Sequence, residues 1–150
     1  MSRQANDIEE TVLGCLVIDP SLFLEIDLVS DDFMTEQNKI IYSTLVEMNV
    51  MNEVIDTITV ADKLQTTTSR NWMPTMMRIS AAIASTRNLK TYAVMVKKFS
   101  TERKAILIAE TLIGAVGDDV AIDVAIGELM RLGATRKNYA QGPLAGGGNG

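Results

Sequence analysis

The amino-acid sequence predicts an all-α protein, built as a small orthogonal helical bundle followed by an αα-hairpin. Its apolar residues recur at spacings of three and four, which place them on one face of an α-helix. Between Ser2 and Ala140 the only prolines are Pro20 and Pro74, so few residues would interrupt a helix. No convincing run alternates apolar and polar side chains as a half-buried strand would.

Capping residues mark the helix starts near the beginning of the chain. Asn6 is followed three residues later by Glu9, the spacing of a capping box, and predicts the start of a first helix. Asp19 and Pro20 then supply an N-cap and a proline for the first helical position. They predict a second helix that runs through Leu28.

The same signals predict a third and a fourth helix. The acidic pair Asp31-Asp32 precedes a start at Thr35, and Asp56 is an N-cap for a short helix that follows it. The apolar positions expected on the buried faces of these two helices are Ile41, Leu45, Met48, Val60, Ala61 and Leu64.

Two longer stretches of helix follow. Pro74 fits the first turn of a fifth helix that runs to about Ser85. The longest predicted helix begins at Arg87 or Asn88 and continues towards Val116.

A tight turn then predicts a helical hairpin. Gly117 fits the C-cap of the long helix, and the pair Asp118-Asp119 supplies N-cap candidates for the next one. That last helix is predicted from Val120 to about Leu132, ending at Gly133. Two helices joined by so short a turn lie antiparallel.

Both arms of this hairpin carry more apolar residues than one helix-to-helix contact can bury. The surplus predicts a further partner, which is either the globular part of the chain or, as we expect, a second chain. The residues we expect at that interface are Ile106, Ile113, Val116, Ile122, Ile126 and Leu129.

The sequence therefore predicts three regions. Residues 1–100 form a globular helical subdomain, and residues 101–135 form the hairpin that mediates self-association. Residues 136–150 read as a flexible linker or tail, because five of the ten glycines lie between Gly142 and Gly150.

The chain offers little with which to catalyse a reaction. It has no histidine and a single cysteine, Cys15, which excludes His-based general bases, His/Cys zinc sites and an intramolecular disulfide. No P-loop is present, since Lys90-Thr91 has no glycine before it. Asp31-Asp32 and Asp118-Asp119 could act as acid and base or hold magnesium, but we interpret both pairs as carboxylates at helix starts. We expect no catalytic residue, cofactor or metal.

The charge and hydropathy of the sequence limit which partners the protein can bind and where in the cell we expect it. The net charge of −5 argues against a surface that neutralises phosphate, and the basic residues from Arg87 to Lys104 read as a solvated helix face. DNA binding should therefore be weak and indirect at most. No apolar run approaches the roughly 18 residues that a membrane helix needs, and the N-terminus is polar, so we expect a cytoplasmic protein without membrane contact.

Five blocks of this sequence resemble the N-terminal domain of DnaB-type replicative DNA helicases. The first reads Glu-Glu-Thr-Val-Leu-Gly-Cys-Leu-Val-Ile-Asp from Glu9, where the family has Glu-x-x-x-Leu-Gly-small-Leu-Leu-hydrophobic-Asp. The fourth ends in Thr-Val-Ala-Asp-Lys-Leu, and the fifth reads Asn-Leu-Lys-Thr-Tyr-Ala-Val-Met-Val, both similar to family segments. The blocks are Asp7–Pro20, Ser30–Phe33, Asn38–Tyr42, Val54–Leu64 and Asn88–Val96.

Two segments depart from the family pattern. Asn71–Met77 stands where the family has Gly-Gly-x-x-Tyr-Leu, and Ala84–Arg87 replaces an Asn-Thr-Pro-Ser stretch. This drift suggests a distant member, and we expect a phage origin.

The resemblance implies a function. In this family the motor is a separate C-terminal domain with a P-loop, and the N-terminal domains pair through their hairpins into a collar on a hexameric ring. The collar docks primase and, in some systems, a helicase loader. The resemblance thus implies a non-catalytic collar domain that assembles as a dimer or hexamer. The alternative is a stand-alone protein on the same fold, a phage decoy or loader that binds a host helicase or primase.

Overall fold

The chain is all-α, as predicted. The structure, a computed structural model, describes the backbone of residues 3–148 and the side chains of residues 3–134, and within them it contains no strand. Two short 3-10 helices span Pro20–Glu25 and Ser30–Asp32. The α-helices are α1 (Arg3–Ile18), α2 (Glu36–Val50), α3 (Thr57–Thr67), α4 (Met73–Ala81), α5 (Leu89–Gly114) and α6 (Asp119–Gly148).

The chain divides into two compact units, Met1–Lys97 and Lys98–Gly150, so α5 contributes to both. In the first unit α1 is the central helix and packs against α2, α3, α4 and the first 3-10 helix. The largest side chains of its core are fully buried: Trp72, Phe33, Leu13, Leu16, Ile41, Leu45, Met48, Leu64, Met76, Ile79 and Leu89.

Glycine is required where α1 meets α4. A Cβ atom added at Gly14 would lie 2.8 Å from the carbonyl oxygen of Ile79 and 2.6 Å from the side chain of Ile83. The two helix backbones can therefore approach this closely only because residue 14 has no side chain.

Three of the predicted N-caps are confirmed. The Thr35 hydroxyl accepts the Asn38 N–H at 3.1 Å, and the Asp56 carboxylate accepts the Thr59 N–H at 2.8 Å. Asp19 also caps the segment that begins at Pro20. That segment is a 3-10 helix ending at Glu25, however, so the predicted continuation to Leu28 is wrong.

The predicted capping box at Asn6 and Glu9 is wrong. Helix α1 already begins at Arg3, and both side chains reach across to α2 instead. Asn6 Oδ1 accepts a hydrogen bond from Asn38 Nδ2 at 3.1 Å. The carboxylate of Glu9, which is 1% exposed, accepts the Met34 N–H and Asn38 Nδ2 at 3.0 Å each. The polar pair thus joins α1 to the start of α2, which explains why a carboxylate is buried there.

A buried ion pair holds the start of α5, up to Lys97, within the first unit. Asp32, in the second 3-10 helix, is fully buried, and its Oδ2 atom accepts from the Val29 N–H and from Lys97 Nζ, each at 2.8 Å. Three apolar residues that precede Lys97 on α5 are also buried, namely Leu89, Ala93 and Val96.

The turn between α5 and α6 follows the prediction. Gly117 has a φ of +95°, and the Asp118 carboxylate accepts the Ala121 N–H at 3.1 Å as an N-cap. The predicted end of α6 at Gly133 is wrong, since the helix continues to Gly148. A single glycine costs a helix only about 1 kcal/mol, which is too little to end it without a competing contact. The role of residues 136–150 as a linker stays a prediction.

Candidate assembly surface

The second unit is a helical hairpin with a groove between its two arms. Thr101 and Ala105 of α5 line a groove of about 520 Å³ together with Leu129, Met130, Leu132, Gly133 and Ala134 of α6. This pairing of the two arms makes them antiparallel, as the short turn predicts. Ala125 of α6 is 2% exposed, and Ile122 and Leu129 are half-buried.

The outer face of this hairpin is strongly apolar. Four of the six predicted interface residues are exposed: Ile106 by 60%, Ile113 by 74%, Val116 by 82% and Ile126 by 44%. Ile122 and Leu129, the other two, are half-buried. Four further side chains outside the predicted set are also exposed, namely Leu107, Val120, Val124 and Met130.

Helix geometry brings some of these side chains together. Ile106 and Ile113 are seven residues apart, two turns of helix, and so share one side of α5. On α6, Ile122, Ile126 and Met130 follow each other at intervals of four and form one stripe. Val116 lies in the turn after α5 and joins neither stripe. We call the exposed aliphatic residues of α5, the turn and α6 the hairpin apolar surface.

The charges interspersed with this surface are all of one sign. From Ala105 to Met130 the chain carries five carboxylates and no basic side chain. The carboxylates belong to Glu110, Asp118, Asp119, Asp123 and Glu128. Apolar burial favours binding of a partner here, while the five carboxylates oppose the approach of nucleic acid and weaken the approach of another acidic surface.

The groups that could have served catalysis stabilise the fold instead. Asp32 is an ion-pair partner of Lys97, while Asp118 caps α6. Cys15 is 1% exposed, and burial raises the pKa of its thiol, which disfavours the reactive thiolate. Among the described side chains no three acidic or cysteine groups gather as a metal site would require.

The chain thus contains a helical bundle and a helical hairpin with exposed aliphatic side chains, and Asp32 and Asp118 form an ion pair and a helix cap. The family model that matches this chain is the DnaB-like helicase N-terminal domain, over residues 1–98. The match covers more than half of the sequence, and the chain belongs to this family.

Solved structures agree with that membership. The crystal structure of the N-terminal domain of DnaB helicase from Mycobacterium tuberculosis is similar in fold, with a TM-score of 0.75 at 19% identity, over 83% of this chain and 95% of that one. A DnaB-like replicative helicase, whose structure was studied together with its interactions with primase, gives a TM-score of 0.71 at 26% identity. This second similarity covers 85% of the present chain, which spans only 31% of that helicase.

The structural similarity extends past the family match. Coverage of 85% of 150 residues exceeds the 98 residues of the family model, so part of the hairpin unit is included. Among the described residues, no helix is both long enough and apolar enough to cross a membrane.

Proposed function

We propose that this chain is the non-catalytic N-terminal collar domain of a replicative DNA helicase, which assembles through its hairpin and docks primase or a helicase loader. The observation that carries the proposal is the hairpin apolar surface on a chain of this family. One similar helicase has been studied with primase, which supports primase as the partner.

Self-association through the hairpin follows from the energetics of the exposed side chains. Burial of apolar surface contributes roughly 25 cal/mol per Å², and monomeric proteins rarely expose large contiguous apolar patches. A second copy of the hairpin offers the same aliphatic stripes in a two-fold arrangement, so each stripe covers its equivalent. Such pairing gives a dimer, and a hexameric collar needs three of these dimers.

Charge substitution on the hairpin tests this proposal. Ile113→Asp and Ile126→Asp place a carboxylate on the exposed face of each arm, and together they should abolish association in size exclusion with light scattering. Helicity measured by circular dichroism should stay unchanged, because both side chains are exposed. The matched control is Leu24→Asp, which changes a side chain that is 93% exposed in the first unit.

The outcome separates the proposed interface from other surfaces. Loss of association in the hairpin variant but not in Leu24→Asp supports the hairpin as the interface. Association that survives Ile113→Asp with Ile126→Asp would refute it. Docking is tested separately by titrating the unaltered chain with primase from the same organism and measuring heat of binding.

A further inference from the structure

A second exposed apolar cluster lies in the first unit, around the turn from α2 to α3. Val50 is 75% exposed, Met51 66%, Val54 71% and Ile58 67%. Single exposed aliphatic residues are ordinary, but turns usually carry polar residues, and here four large apolar side chains fall within residues 50–58.

The backbone holds this cluster in one conformation. Asn52 has a φ of +55°, its N–H donates to the Asn49 carbonyl at 3.2 Å, and the Glu53 N–H donates to the Met48 carbonyl at 2.9 Å. These two bonds form a Schellman motif at the end of α2. The capping box of Asp56 starts α3 three residues later. A partner that binds here therefore meets a preorganised turn and orders little backbone.

The cluster borders a groove of about 440 Å³. Buried Met48 and half-buried Met73 supply thioether side chains to its lining, and Val54 and Ile58 supply exposed aliphatic ones. Methionine side chains adapt to the shape of what they contact. We call this feature the α2–α3 groove.

The rim of the α2–α3 groove is acidic. Lys63 Nζ lies 3.3 Å from a carboxylate oxygen of Glu53 and 3.9 Å from one of Glu47. Among the lining residues the carboxylates of Glu53 and exposed Asp62 outnumber the ammonium of Lys63, which leaves the rim with an excess of one negative charge. Apolar walls beneath an acidic rim complement an amphipathic helix with aliphatic residues on one side and Lys or Arg along its flanks.

We propose that the α2–α3 groove docks a basic, amphipathic helix of another protein. A second copy of this chain is a poorer occupant, because the chain has a net charge of −5 and pairing of two grooves would oppose two acidic rims. The inference extends the docking part of the proposed function to a face of the first unit. It does not depend on self-association through the hairpin.

The probe is a fluorescein-labelled designed helical peptide with leucine along one side and lysine along the other, titrated with the full chain while its anisotropy is measured. The test variant carries Val54→Glu and Ile58→Glu. Its Kd for the peptide should be at least about tenfold higher, because the aliphatic side chains that contact the peptide are lost. The added negative charges would strengthen a purely electrostatic contact, so the direction of the change separates the two modes of binding.

The matched control carries Ile18→Glu and Leu24→Glu, which add the same charges at two other exposed aliphatic residues of the first unit. It should bind the peptide as tightly as the unaltered chain does. Asp62→Lys should weaken binding at low salt, and the effect should shrink at about 0.5 M salt, where charges are screened within a few ångströms.

Three results would overturn the proposal. If the Val54→Glu, Ile58→Glu variant binds the peptide as tightly as the unaltered chain does, or more tightly, the peptide binds elsewhere. If a leucine–glutamate peptide binds as tightly as the leucine–lysine peptide, the charge of the rim plays no role. Loss of the chain's own association in this variant would show that a second copy covers the groove. The hairpin variants at Ile113 and Ile126 should leave peptide binding unchanged, so failure of the assembly proposal remains distinct from failure of this one.

Discussion

Removal of the Lys97 charge should destabilise the first unit far more than removal of a surface lysine. Lys97→Met leaves Asp32 fully buried without the ammonium that lies 2.8 Å from its Oδ2 atom. Breaking a buried ion pair from one side costs about 3–5 kcal/mol. Because the Lys97 side chain is 14% exposed, water can reach the vacated position, and we expect a loss near the lower end, about 3 kcal/mol.

Urea unfolding followed by circular dichroism measures this loss. The free energy of unfolding falls by about 2 kcal/mol per molar urea, so a loss of about 3 kcal/mol should lower the urea midpoint by about 1.5 M. The matched control is Lys39→Met, since Lys39 pairs with Asp31 and Glu36 at 3.7 and 3.8 Å on the surface. Surface pairs are worth about 0–1 kcal/mol, so its midpoint should fall by no more than about 0.5 M.

A second variant tests the physical reason for the loss. If the buried charge of Asp32 causes the destabilisation once the ammonium of Lys97 is gone, then Asp32→Asn added to Lys97→Met should recover a large part of it, because a neutral amide is less costly to bury than a charge. Equal, small losses in Lys97→Met and Lys39→Met would refute the reasoning. So would a double variant that is less stable than Lys97→Met alone.

Three further predictions concern Gly14, Cys15 and Tyr42 of the first unit, with Gly133 of α6 as a control for Gly14. Gly14→Ala should lower the urea midpoint of unfolding, since the overpacking against Ile79 costs about 1–3 kcal/mol. Gly133→Ala should raise the helical stability of α6 slightly, because an added Cβ there meets nothing within 4 Å. Cys15 should react with a thiol reagent only at the rate of unfolding, because it is buried and its pKa is raised. Burial, and then the charges of Asp32 and Asp27, raise the pKa of Tyr42 to about 12, so the contribution of Tyr42 to folding stability should be constant below pH 10 and be lost between pH 10 and pH 12. Tyr42→Phe should remove that slope in urea titrations at each pH.

Local signals in the sequence were sufficient for the helix caps. Thr35, Asp56 and Asp118 each bond to an N–H within three residues, so their geometry depends only on the neighbouring chain. The failure at Asn6 and Glu9 has the opposite cause. Their partners lie on and just before α2, and a long-range hydrogen bond to Asn38 outweighed the local cap.

Other features depend on contacts that a linear pattern does not contain. Asp32 and Lys97 are 65 positions apart, so nothing in the sequence shows that they pair. Of the residues expected at the hairpin interface, Ile113 is exposed and Ile122 is half-buried, a difference that depends on how the two arms are rotated against each other.

The sequence analysis did not predict the α2–α3 groove, although the sequence contains a sign of it. Val54 and Ile58 flank the cap of α3, where an exposed turn would ordinarily be polar. Only the structure shows that they border one groove with Met48, which comes from α2.

Light scattering behind size exclusion, over a series from a few to a few hundred micromolar, tests self-assembly through the hairpin most directly. The unaltered chain should rise from the monomer mass of 16.4 kDa towards the dimer or hexamer. The rise should begin at lower concentration in high salt, because salt screens the five carboxylates of the hairpin and leaves apolar burial unopposed. A mass that stays at 16.4 kDa over the whole series, at low and at high salt, would contradict this mode of assembly.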